Sequence, residues 1–110
     1  MATSTIKNTF SAIENKSITV ATGTYDVFTN KQGLYLAILS CQNQATGGYW
    51  SVKLRDATAN QTVAEILSLC DISWGYAHVP TVVRTDHLVV KVDNLPDSPE
   101  KINVKYIKLD

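Results

Sequence analysis

The sequence is short of most features that announce a chemistry. In 110 residues it has two cysteines, five glycines, three prolines and one methionine, and its ten basic side chains are balanced by ten acidic ones. Each shortage excludes something. The glycines, at 23, 33, 47, 48 and 75, do not space as a phosphate-cradling loop. There is no nucleophile elbow and no His-Glu-x-x-His. Cys41 and Cys70 each end an apolar segment and read as buried thiols that behave as small hydrophobes. Two cysteines at that spacing make no zinc site, and nothing points to the oxidising compartment a disulfide would need. A formal net charge of zero lacks the cationic excess that non-specific nucleic-acid binding requires, and it leaves little long-range repulsion against self-association. Met1 to Lys7 has no apolar core behind a basic start, so no secretory signal is expected. The longest apolar run, Leu34 to Cys41, is far too short to cross a bilayer. A soluble chain made in a cytosol is the expectation.

What is present is the composition of a globular protein, 45% hydrophobic. A chain of this length forms one domain and buries about two-thirds of its unfolded surface. Leu34 to Cys41 predicts a strand buried on both faces. Gln42 to Gly48 is polar and turn-rich, and Tyr49 to Asp56 alternates with period two. Together, Leu34 to Asp56 read as a β-hairpin closed by the Gly47-Gly48 turn. Residues 1–16 are predicted as an N-terminal arm or edge strand, and 17–110 as a single sandwich domain.

Further short strands flank the hairpin. Ser17 to Ala21 and Tyr25 to Phe28 alternate, and Asn30 to Gly33 is a loop with glycine placed for positive φ. Thr62 to Cys70 is ambiguous. Val63, Ile66, Leu67 and Cys70 fit helical spacing, whereas the loop after Asp56 reads as a hairpin turn into a strand. A strand is the preferred reading and a short helix the alternative. Ala77 to Val83 carries Pro80, which suits an edge strand or a bulge because proline cannot donate to the ladder. His87 to Val92 predicts a strand with Leu88, Val90 and Val92 on one face. In Lys101 to Leu109 the apolar phase shifts after Tyr106, which predicts a bulge there or burial of both faces. About eight short strands with turn signals between them predict an all-β fold, an antiparallel two-sheet β-sandwich of jelly-roll-like form.

Candidate chemistry is sparse. If Arg84-Thr85 is a two-residue hairpin tip, Val82 pairs with His87, and His78 then lies roughly 13 Å from His87 at a rise of 3.3 Å per residue. The two imidazoles could not share a metal within one chain. The carboxylates are scattered and sit mostly at turns. No catalytic residue, metal or cofactor is expected. The aromatic residues are the better candidates for binding. Trp50, in phase with Val52 and Leu54, reads as core. Tyr49, Trp74 and Tyr76 are the candidate ligand-binding rings, able to stack on a sugar or anchor a protein contact. A carbohydrate-binding module is therefore one functional reading.

A resemblance supplies the other. Met1-Ala2-Thr3-Ser4-Thr5-Ile6-Lys7, the strand opening Gly33-Leu34-Tyr35, and Val83-x-x-Asp86-x-Leu88-Val89-Val90 resemble small β-sandwich proteins encoded in phage and prophage structural regions of gut bacteria. These are head-fibre, decoration or tail-fibre-associated components, some of them similar to trimeric jelly rolls of the tumour-necrosis-factor-like type. The resemblance implies a non-enzymatic virion protein assembled in a bacterial host cytoplasm. It implies a homo-oligomer, a trimer favoured, with other virion proteins and a host-surface glycan as partners. Neither a nucleic acid nor a membrane span is implied.

Overall fold

The computed structural model describes residues 13–18, 22–43, 50–67, 75–93 and 102–110. Eight strands run in chain order: β1 (Glu14–Ile18), β2 (Gly23–Phe28), β3 (Gly33–Asn43), β4 (Ser51–Asp56), β5 (Gln61–Leu67), β6 (Gly75–Thr85), β7 (Leu88–Asp93) and β8 (Ile102–Lys108). They form two four-stranded antiparallel sheets, ordered β1-β8-β3-β6 and β2-β7-β4-β5. The all-β two-sheet sandwich read from the sequence is the observed fold. The pairs nest: 1 with 8, 2 with 7, 3 with 6, 4 with 5, alternating between the sheets.

That nesting overturns two local readings. Residues 34–56 are not a hairpin, because β3 and β4 belong to different sheets. Arg84-Thr85 is not a hairpin tip either, since β6 and β7 also lie in opposite sheets. Of the seven connections only β4 to β5 joins hydrogen-bonded neighbours. A polar turn looks the same in sequence whether the chain folds back beside itself or crosses to the other layer. What decides is the inner faces: Tyr35, Ala37, Leu39 and Cys41 of β3 pack against Val52 and Leu54 of β4 across the layer gap, in one buried cluster.

Alternation sets the core. Trp50, Leu39, Leu54, Ile66, Leu88 and Ile102 are fully buried, and Trp50 is core as its phase predicts. Phe28, Tyr35 and Tyr106 form an aromatic group within this core, with ring centroids 4.4, 5.1 and 6.1 Å apart. Burial pushes the phenols of Tyr35 and Tyr106 above their ordinary value. β5 is a strand as preferred, with Ala64 and Ile66 inward. The helical face proposed for Val63, Ile66 and Leu67 does not form, because β5 completes the edge of its sheet against β4. Cys41 is buried and Cys70 lies outside the described residues. Of the N-terminal segment, Glu14 to Lys16 lie in edge strand β1 and residues 1–12 are outside the described residues.

Three smaller expectations change. β3 is buried on its inner face only. Leu34, Leu36, Ile38 and Ser40 on the other side are half-buried. β8 has no bulge at Tyr106. Its register with β3 is continuous from Ile102 to Lys108, so Ile107 simply takes the outer side opposite Leu36. Positive φ falls on Asn30 (54°), not on Gly33. Pro80 does sit in an edge strand, β6, opposite Ile38.

A second positive φ, 55°, is at Asn60 in the β4–β5 turn, where the Asn60 amide oxygen accepts from Arg55 Nη2 at 2.8 Å. Asparagine tolerates this region far better than alanine. Asn60→Ala is expected to cost about 1 kcal/mol. Asn60→Gly, which keeps the backbone but loses the bond, should cost less; urea unfolding of the two variants checks the order.

Candidate interaction face

The two outer faces of the sandwich differ in chemistry, and strand parity explains why. On the β2-β7-β4-β5 sheet the outward positions include Thr24 and Asp26, Lys91 and Asp93, Lys53 and Arg55, Thr62 and Glu65, exposed or half-exposed, with half-buried Leu67 and buried Ser51 at one end. Val89 sits among them but is only 6% exposed. This is an ordinary solvated face.

The outer face of the β1-β8-β3-β6 sheet is apolar in the middle. Registers with β3 arrange it in rows. Leu34 lies beside Arg84; Leu36 between Val82 and Ile107; Ile38 between Pro80 and Lys105; Ser40 between His78 and Asn103. Val82 is 60% exposed and Leu109, just past β8, is 40% exposed. Polar contacts close both ends. At one end Arg84 Nη1 bridges Asp110 Oδ2 at 3.1 Å, and the Leu34 amide donates to Asp110 Oδ1 at 3.1 Å. At the other end His78 Nδ1 and Ser40 Oγ lie 2.7 Å apart, Ser17 donates to Asn103 at 2.8 Å, and Asn15 donates to Ser17 at 3.2 Å. An apolar strip framed by polar side chains is the anatomy of a protein contact surface.

The Leu34 amide, with the Arg84 hydrogen bond and charge, holds the Asp110 carboxyl below its ordinary value of 3.8, against a partial desolvation that raises it. A lowered folded value means this tether is fully made above the unfolded pKa and is lost as pH falls through the folded one. In an NMR titration the Leu34 amide and the Asp110 carboxyl should titrate together below 3.8. Arg84→Ala should move their common midpoint upward.

A second polar cluster lies where the β2–β3, β4–β5 and β6–β7 connections meet. Asp56, 7% exposed, accepts from the Thr58 and Ala59 amides at 3.1 and 3.2 Å and from Thr85 Oγ1 at 2.6 Å. The Lys31 amide donates to the Asp86 carbonyl, the Ala57 amide to the His87 carbonyl, and Thr58 Oγ1 to Asp86 Oδ1. His87 Nε2 meets Asp26 Oδ1 at 2.7 Å. These hydroxyls and carboxylates bond one another and the loop backbones. The cluster ties three turns together and presents no activated nucleophile.

Tyr49 and Trp74, two of the candidate rings, lie outside the described residues. Tyr76 is in edge strand β6, opposite Gln42 in the register. The grouping of the three rings therefore lies outside the described residues. What sequence reading missed is the apolar face itself. Its signal is present in Leu34, Leu36 and Ile38, alternating with the core residues of the same run, but in a continuous apolar run an exposed face reads the same as burial on both sides. Among the described residues no group of three His, Cys, Asp or Glu side chains could hold a metal. Among them also no helix is long and apolar enough to cross a membrane.

No protein-family model matches the sequence, and no curated protein matches it. The fold is similar to a chain of the acidic stable capsid structure of Helicobacter pylori bacteriophage KHP30. The TM-score is 0.61 at 14% identity, over 89% of this chain and 86% of that one. At that identity the likeness is one of fold.

Proposed function

We propose that this chain is a non-enzymatic structural or accessory protein of a phage virion, of the head-fibre, decoration or tail-fibre-associated kind. It assembles with copies of itself and with other virion proteins. The observation that carries the reading is the asymmetry of the sandwich: one sheet turns a charged face to water, and the other turns out an apolar strip framed by polar side chains. A domain with no neighbours would gain nothing from leaving Val82 60% exposed beside Leu36 and Ile107. The nested strand order is that of a jelly roll, a scaffold common in capsid and lectin domains. The fold likeness to the capsid chain of phage KHP30 supports the same reading. A trimer and a host-surface glycan, with Tyr49, Trp74 and Tyr76 as its rings, remain implications of the family resemblance; a glycan-array screen tests the second.

The test is location. Particles induced from cells that carry the gene are purified on a density gradient and probed with antibody to this chain. Label co-sedimenting with intact particles, and seen on them by immunogold microscopy, is the expected result. Label found only in the soluble fraction overturns the proposal.

A further inference from the structure

The outer face of the β1-β8-β3-β6 sheet is self-complementary, and the occupant it fits is a second copy of the same chain. The argument rests on the register. Apolar side chains lie on both sides of β3: Leu34, Leu36 and Ile38 on β3 itself, Val82 and Pro80 on β6 to one side, Ile107 and Leu109 at β8 to the other, with Ile13, 70% exposed just before β1, beyond β8. The charges are not even. Arg84 stands on the β6 side and Asp110 on the β8 side of the same end, 3.1 Å apart across Leu34, and Lys105 on β8 has Pro80 as its counterpart on β6. Turning a second copy over onto the face leaves two simple choices of two-fold axis. An axis across the strands would set Arg84 over His78 and Leu34 over Ser40, a cation against an imidazole and an apolar group against a hydroxyl. An axis along β3 keeps each row in place and exchanges β6 with β8. Arg84 then faces Leu109 of the partner subunit in its row, next to Asp110 of the partner subunit, Val82 faces Ile107 of the partner subunit, and His78 faces Asn103 of the partner subunit. Leu36 and Ile38 meet their own images. The Arg84–Asp110 pair forms twice, as an isologous contact requires, and Lys105 lies over Pro80 of the partner subunit at the margin of the strip.

We propose that two copies pair face to face through this sheet, about a two-fold axis running along β3. Aligned sheets pack within about 30° of each other, which such an axis permits. The strip is small. Three strands spaced about 4.8 Å apart and seven residues rising about 3.3 Å each give a projected footprint of roughly 300 Å². That is the size of a weak, reversible contact. The pairing is one that many copies on a particle would reinforce through multivalency. The inference deepens the virion reading by naming the partner of this face, and its test is independent of where the protein is found.

Sedimentation velocity of the full chain, from about 10 µM to about 1 mM, reads the contact as a concentration-dependent dimer. Val82→Lys, at an exposed position where folding cost is small, should weaken dimerisation at least about tenfold while leaving the melting temperature unchanged. The decisive arm is charge exchange. Arg84→Asp and Asp110→Arg each place like charges opposite each other in a homodimer, so each variant alone should fail to dimerise. Mixed in equal amounts, they present only opposite pairs across a β3 axis, and heterodimer should form. A wild-type chain that stays monomeric throughout the range overturns the pairing, as does a dimer indifferent to Val82→Lys. Single variants that dimerise normally, or a mixture that gains nothing, overturn the axis. None of these results bears on whether label is found on particles.

Discussion

Trp50→Ala is expected to destabilise the fold by about 3–5 kcal/mol. The indole is the largest fully buried side chain and is 1% exposed, immediately before β4 enters its sheet. Truncation removes the transfer free energy of the ring and leaves a void between two sheets. Strand ladders hold those sheets apart on both sides, so they can close the void only in part. Domains of this size are stable by about 5–15 kcal/mol, so the loss is a large share of the total. In urea the midpoint should fall by about 2 M with the slope unchanged. Trp50→Phe, which keeps most of the volume, should cost clearly less. A Trp50→Ala chain that unfolds at the wild-type midpoint would mean that the ring is not core.

Asp56→Ala should cost about 2–3 kcal/mol, through polar groups and not through volume. Its Oδ1 accepts from two turn amides, Thr58 and Ala59, and from Thr85 Oγ1. Thr85 is only 3% exposed, and its hydroxyl falls back on the His87 carbonyl at 3.2 Å, so most of the cost lies in the two turn amides left without their acceptor. Asp56→Asn keeps an acceptor oxygen and should cost about half as much. Hydrogen exchange separates the local effect from the global one. The Thr58 and Ala59 amides should lose protection in both variants by more than the global loss of stability accounts for, while amides in β3 and β8 follow the global change. Equal protection loss throughout the chain would show that Asp56 does not pin the turn.

Asp56 was legible in the sequence only as one of several scattered turn carboxylates. Its partners come from β6 and from the turn it begins, and only the folded chain brings Thr85 to it. The same holds for His87, which meets Asp26 from a strand far away in sequence, and for Ser40 with His78. The outer apolar strip was legible residue by residue, in Leu34, Leu36, Ile38, Val82 and Ile107. It was not legible as one surface, because the registers of β3 with β6 and with β8 join it.

The sequence by itself determined that there are about eight strands, which side chains of most strands face the core, that the proline-bearing strand is an edge or bulged one, and the burial of Trp50. These follow from side-chain period and from the missing amide of proline, which act within a few residues. Only the tertiary structure decided which strands are neighbours, and therefore which outward side chains form one face. Pairing 1 with 8 and 3 with 6 is a choice among distant partners, made by the joint burial of all the inner faces. A turn's local chemistry carries no mark of the layer into which it delivers the chain.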